Sequence, residues 1–211
     1  MIGIYGGTFD PVHFGHLRPA LDVLQALQLE QVRFIPCGIP PHRPSPQATA
    51  QQRAQMVQLA IATQPKFVLD DRELTRNGMS YMVDTLRSLR QESAATDLCL
   101  IVGIDAFNEF DSWKDWQSIV DTTKLVVAHR PNYPLDVQRW KPALTDYVEH
   151  HRQMDITQFA ACRAPAVFFC PVTQLEISST RIRELLSAGL DASFLLPATV
   201  IEYIRQHRLY S

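Results

Sequence analysis

Between residues 6 and 16 the chain reads Gly6-Gly7-Thr8-Phe9-Asp10-Pro11-Val12-His13-Phe14-Gly15-His16. Adjacent glycines let a backbone approach a bulky anion closely. Histidines three apart share one helix face, and each ring donates one hydrogen bond when neutral and two when protonated. Donors of this kind suit oxygens whose negative charge grows in a transition state. Taken alone, each part has a plainer use. A Gly-Gly pair serves any tight turn, and the two histidines could be structural. They could also hold a metal, which would require further ligands, but the sequence offers no His-Glu-x-x-His and no adjacent carboxylate cluster. Nor is there a Gly-x-Ser-x-Gly elbow, a Walker phosphate loop or a recognisable Cys/His nucleophile pair.

The elements that must position these residues follow from hydrophobic spacing. Short apolar runs alternate with helical periodicity, the pattern of βαβ units around a parallel sheet. Strands are expected at 1–5, 32–36, 67–69, 98–102, 125–128 and 167–169. Leu17, Ala20, Leu21 and Leu24 repeat at helical spacing, with Pro19 expected in the first turn, where a missing N–H is tolerated. The two glycines therefore fall where a strand ends and a helix begins. Unpaired N–H groups and the helix dipole favour an anion at such a place. Pro40, Pro41, Pro44 and Pro46 make the following connection an extended or turning loop. Further helices are expected at 50–63, 81–91 and 200–207. Ser178, Ser179 and Thr180 offer cap hydroxyls to another, and Gly189 suits its exit.

A length of 211 residues suits one domain, and 46% hydrophobic with 20% charged residues is ordinary for a soluble globular chain. We expect an α/β fold with a Rossmann-like, doubly wound parallel sheet. A core over 1–175 would carry a surface insertion at 131–165, and a small helical region would fill 176–211. A net charge of −2 gives no basic footprint for long nucleic acids. Without an export signal or a membrane-length apolar run, the expected location is the cytoplasm. Cys37, Cys99, Cys162 and Cys170 lack metal spacing and are read as buried reduced thiols. Assembly into a homo-oligomer is left open by the composition.

The segment 6–16 resembles the signature of the nucleotidyltransferase superfamily with its His-x-Gly-His motif, and Ile177-Ser178-Ser179-Thr180-Arg181-Ile182-Arg183 resembles the late helix-start element of the adenylyltransferase branch. Intervening stretches are similar to the bacterial nicotinate mononucleotide adenylyltransferases in particular. These are Pro40-Pro41-His42-Arg43, Asp71-Arg72-Glu73-Leu74, Ser80-Tyr81 with Asp84-Thr85-Leu86, Gly103-x-Asp105, Trp113, Arg130-Pro131 and Arg208-Leu209-Tyr210. The likeness covers nearly the whole chain and is weakest over 133–164. Asn132 and Lys114 depart from it, standing where a glycine and an aromatic residue are common.

The resemblance implies transfer of AMP from ATP to nicotinate mononucleotide, giving a dinucleotide and pyrophosphate, with Mg²⁺ carried by the phosphates. It implies that His13, His16 and Arg181 act at the reacting phosphates. Gly6, Gly7, Thr8, Phe9, Gly103, Asp105, Ile177, Ser178 and Ser179 would complete the ATP site, with Arg183 in support. Asp10, His42, Arg43, Thr85, Trp113, Lys114 and Arg130 would bind the acceptor, Trp113 by stacking on the pyridine ring and Thr85 by bonding its carboxylate. Rivals are adenylylation of nicotinamide mononucleotide or another phosphate, a fragment of a class I aminoacyl-tRNA synthetase, and a non-catalytic nucleotide sensor. The synthetase should carry a Lys-Met-Ser-Lys-Ser-like loop, which is missing, and the sensor should have lost His13, His16 or Arg181, which remain.

Overall fold

The computed structural model describes residues 1–41, 45–129, 135 and 137–211. In chain order it comprises β1 (Ile2–Gly7), α1 (Phe14–Ala26), β2 (Gln31–Pro36), α2 (Ala50–Ile61), β3 (Phe67–Leu69), α3 (Arg72–Thr75), α4 (Met82–Glu92), β4 (Leu98–Gly103) and α5 (Ile104–Phe107). There follow a 3₁₀ turn (Phe110–Ser112), α6 (Trp116–Thr122), β5 (Lys124–His129), a second 3₁₀ turn (Val137–Arg139), α7 (Pro142–His151), β6 (Arg152–Gln153), α8 (Ile156–Ala161), β7 (Val167–Pro171), α9 (Ser179–Ser187) and α10 (Ala198–Gln206). The seven strands form one sheet in the order β3-β2-β1-β4-β5-β7-β6, every neighbouring pair parallel.

Successive strand residues point to opposite faces, and the two faces bury different sets. Cys99, Ile101, Val126 and Ala128 join a core roofed by α1, α2, α8, α9 and α10. Leu98, Leu100, Val102, Leu125 and Val127 join a second core under α4, α5, α6 and α7. A parallel sheet covered on both sides explains why its strands read as continuous apolar runs. This is the doubly wound arrangement expected from the alternation.

The strand order reverses between β1 and β4, where ligands of open α/β sheets bind. Here the strands also part. β1 follows β2 along its full length, to Gly7 opposite Pro36, but its pairing with β4 stops at Ile4 opposite Leu100. Beyond that point Gly6 and Gly7 have no ladder partner on β4, and this carboxyl edge is the crevice position of such sheets.

Two local expectations are corrected. Helix α1 starts at Phe14, so Pro19 sits in its second turn rather than its first. Its missing N–H withholds the ladder partner of the Gly15 carbonyl. The stretch 131–165, expected as an irregular or helical surface insertion, contributes α7, α8 and the edge strand β6, and buries Trp140, Leu144, Tyr147, Val148 and Phe159. Leu144, Tyr147 and Val148 recur at helical spacing, which gives α7 its inward face. None of the four cysteines forms a disulfide; Cys99 and Cys170 are buried and Cys37 and Cys162 only partly so.

Candidate active site

Two helix starts converge on the crevice. Helix α1 begins at its cap residue His13, and α9 begins at Ser178, whose hydroxyl accepts the N–H of Arg181 at 3.1 Å. They are in contact: a side chain at Gly15 would come within 3.0 Å of the Ile177 carbonyl and 2.9 Å of the His13 ring. Ser179 Oγ donates to the Pro11 carbonyl at 2.9 Å and ties the start of α9 to the loop after β1. Neither helix has an acidic residue in its first turn. The positive ends of both dipoles therefore stay uncompensated where they meet, as a phosphate site requires.

The two histidine rings lie with centroids 3.8 Å apart, tilted by 35° to one another. The His13 N–H donates to Nδ1 of His16 at 3.3 Å, which places the proton of a neutral ring on Nε2 and makes that nitrogen the donor. Phe9 packs edge-on against His16 at 5.1 Å and fixes its plane. Nδ1 of His13 is buried and meets no partner among the described residues. Such a group is ordinarily satisfied by a ligand or water.

Burial pushes the His13 imidazole down to about 4. An unfolded histidine takes up its proton near pH ~6.5, so between about 6.5 and 4 the unfolded chain binds a proton that the folded one refuses. Stability should be complete above that window and fall as pH drops through it, by on the order of 3 kcal/mol. His13→Gln should flatten that limb of a stability-against-pH curve measured by urea unfolding. Equal slopes in the two proteins would mean that His13 is not a buried neutral ring.

The remaining expected residues divide into two groups. Gly6 and Gly7 lie at the end of β1, where a side chain would reach within 2.5 Å of Met82 and 2.7 Å of the Phe9 ring. Gly103 caps α5, Asp105 stands exposed in the first turn of that helix, and Arg181 is 65% exposed with a 3.4 Å contact to Glu184. Trp113 is half-buried, its ring 5.0 Å from Phe110, while Trp116 belongs to the core. Lys114 lies over the Tyr81 ring at 4.2 Å and 3.7 Å from Asp84, at the start of α4. His42, Arg43 and Arg130 lie outside the described residues.

Several side chains are engaged by the protein itself. The Phe9 ring is core, 2% exposed and at φ +52°, so it can line the cradle only with its backbone. Both Asp10 carboxylate oxygens are occupied: the N–H groups of Gln47 (2.9 Å) and Ala48 (3.1 Å) and the Tyr210 hydroxyl (2.7 Å) donate to them. Asp10 thus braces the loop. Arg183 donates to the Asp10 carbonyl at 2.7 Å. The Thr85 hydroxyl is fully buried, donates to Glu73 at 2.6 Å and accepts from Arg76 at 3.3 Å. Its proton is committed within the protein, so it would have to leave Glu73 before it could serve a substrate carboxylate. Burial raises the Glu73 carboxyl.

Arg53 escaped the sequence reading. Only 1% exposed, it donates to the carbonyls of Thr8 (2.6 Å), Cys37 (2.6 Å), Gly38 (3.1 Å) and Ala48 (3.3 Å), lacing the ends of β1 and β2 to the loop before α2. Its signal was available: Arg53, Ala54, Val57 and Ile61 form the inward stripe of α2, and a charge on an apolar stripe marks a buried polar job.

A family model described as cytidylyltransferase-like matches residues 4–185. A relative from Methylococcus capsulatus, "Probable nicotinate-nucleotide adenylyltransferase", is 48% identical over the full length of both chains. Another of the same description, from Aeromonas salmonicida, is 44% identical over 99% of this chain and 96% of its own. Among solved structures, the nicotinic acid mononucleotide adenylyltransferase of Plasmodium falciparum complexed with NaAD superposes with a TM-score of 0.73 at 19% identity, covering 99% of this chain and 96% of that one. A putative nicotinate-nucleotide adenylyltransferase from Vibrio parahaemolyticus gives 0.63 at 19%, over 99% and 94%. At these identities the structural matches speak for the fold. No described helix is long and apolar enough to cross a membrane.

Proposed function

This chain belongs to the cytidylyltransferase-like family, among its nicotinate-nucleotide adenylyltransferases, and on that premise we propose how its crevice transfers AMP from ATP to nicotinate mononucleotide. The observation that carries the reading is the meeting of two uncompensated helix starts at the paired histidines, beside the gap between β1 and β4. A phosphate oxygen of the mononucleotide attacks the α-phosphorus of ATP in line. One P–O bond forms, the bond to the bridging oxygen breaks, and its electron pair leaves on pyrophosphate.

A phosphate monoester has its second pKa near ~6, so the acceptor is already a nucleophile at neutral pH and no protein base is needed. Catalysis is then positioning and charge stabilisation. Nε2–H of His16 donates to an oxygen that gains charge. The N–H groups at the starts of α1 and α9 hold the phosphates, and Arg181, exposed at the start of α9, serves the outer ones. Mg²⁺, where bound, would be held by the phosphates of ATP rather than by a protein cage and would offset their charge. The described residues bring no three His, Cys, Asp or Glu together as a cage. Gly103 and Asp105 border the ribose and adenine, and the open face of Trp113 receives the pyridine ring. Four cysteines without a disulfide among them suit a reducing cytoplasm.

Preference for the acid over the amide draws support from two cations around Thr85 and the start of α4, Arg76 and Lys114. A charge-assisted contact exceeds a neutral one by enough to favour the acid by about tenfold or more in kcat/KM. Parallel assays of pyrophosphate release with both mononucleotides test this. Equal or better use of the amide would reverse the acceptor assignment, and tight ATP binding without turnover on either would leave a nucleotide sensor.

A further inference from the structure

Tyr210 lies 200 positions after Asp10, yet its hydroxyl donates to Asp10 Oδ1 at 2.7 Å from a ring that is 7% exposed within the larger core. Its approach is constrained. Arg208 and Tyr210 both have positive φ, +49° and +64°, a conformation that non-glycine residues keep only when their surroundings demand it. The carboxylate it meets sits three residues before His13, and also takes the Gln47 and Ala48 N–H groups from the segment after the proline-rich loop. Arg183 on α9 holds the carbonyl of the same residue. Four separated stretches thus meet at Asp10: the histidine turn, residues 47–48, Arg183 of α9 and Tyr210. Burial and the adjoining carboxylate push the phenol's ionisation up, so it remains a donor wherever the enzyme works.

We infer that Tyr210 is a positioning residue for adenylyl transfer, holding the His13–His16 turn in register with the acceptor-side loop through Asp10. The inference rests on the proposed reaction. Without the hydroxyl, Asp10 still has two backbone N–H partners, so the fold survives while the orientation of the turn loosens. Misplacement of reacting groups by such small amounts is costly, on the order of 10- to 100-fold in rate.

The test compares the full-length protein with Tyr210→Phe, Asp10→Asn, their combination, and Ile204→Val. The last trims the core on α10 without touching Asp10. Tyr210→Phe should lower kcat about 10- to 100-fold and leave KM for ATP within about twofold. The combined variant should be no worse than Asp10→Asn alone, and Ile204→Val should keep wild-type kcat. In ¹H–¹³C spectra the His13 and His16 ring resonances should shift in Tyr210→Phe and stay in Ile204→Val. An unchanged kcat in Tyr210→Phe, additive losses in the combination, or an equal loss in Ile204→Val would overturn the inference. Wild-type protein inactive on both mononucleotides would sink the proposed reaction alone, since the ring resonances would still decide the role of Tyr210.

Discussion

His16→Ala is expected to slow turnover by about 10²- to 10³-fold, the scale for removing one donor to a developing oxyanion, while ATP binding measured by calorimetry changes far less. The asymmetry follows from the geometry. The His13 N–H occupies Nδ1 of His16, so the proton sits on Nε2 and that nitrogen is the donor. On the proposed reaction, bound ATP would present it with an oxygen whose charge is shared across the triphosphate. In the transition state the same hydrogen bond would meet more charge, and only an interaction that strengthens on that path accelerates the chemical step. Phe9 and His13 hold the ring from two sides, so no reorganisation is required when charge appears. His16→Asn, which keeps a side-chain N–H, should recover part of the rate. If kcat stays within about threefold, or if ATP affinity falls as much as kcat does, His16 binds ground state and transition state alike and is not the stabilising donor.

Arg53→Met should cost about 3–5 kcal/mol of folding stability, as when one partner of a buried charged network is deleted. Methionine matches the length of the stem but leaves the carbonyls of Thr8, Cys37, Gly38 and Ala48 without their donor. Each buried polar atom stripped of its partner is penalised by about 1–3 kcal/mol, partly relieved by relaxation and entering water. For a chain of this size that corresponds to a fall in Tm of roughly 10 °C or more. Arg53→Lys should rescue little, since one ammonium cannot reach carbonyls fanned over three segments. A melting temperature within about 3 °C of wild type would show the strap to be dispensable.

What could be read from the chain, and what could not, divides by the range of the interaction. The glycine pair, the histidine spacing and the Ser178 cap are local: each carries its own geometry within a few residues. The structure brings the two signatures together through the Gly15–Ile177 approach. The sheet was legible because buried parallel strands are apolar on both faces. The occupation of Asp10 was not, because its partners at 47, 48 and 210 are chosen by tertiary packing. The engagement of Thr85 was hidden for the same reason. A threonine near an expected carboxylate reads as a donor, and nothing local shows that Glu73, twelve residues earlier, already takes the proton. The elements within 137–161 were obscured by exposed charged and polar residues around a narrow apolar stripe, which weakened a helical period that the fold nonetheless uses.

The sheet ends in strands of three residues at β3 and two at β6. An unpaired edge is a template on which another chain can lay a strand, and length is what makes it adhesive. Two residues expose too few backbone groups to hold an incoming strand. At β6 one of them is Arg152, which lies over the Phe169 ring at 5.0 Å and keeps a charge on the border. Sheet-to-sheet growth into fibres is thereby disfavoured at both margins of the described sheet.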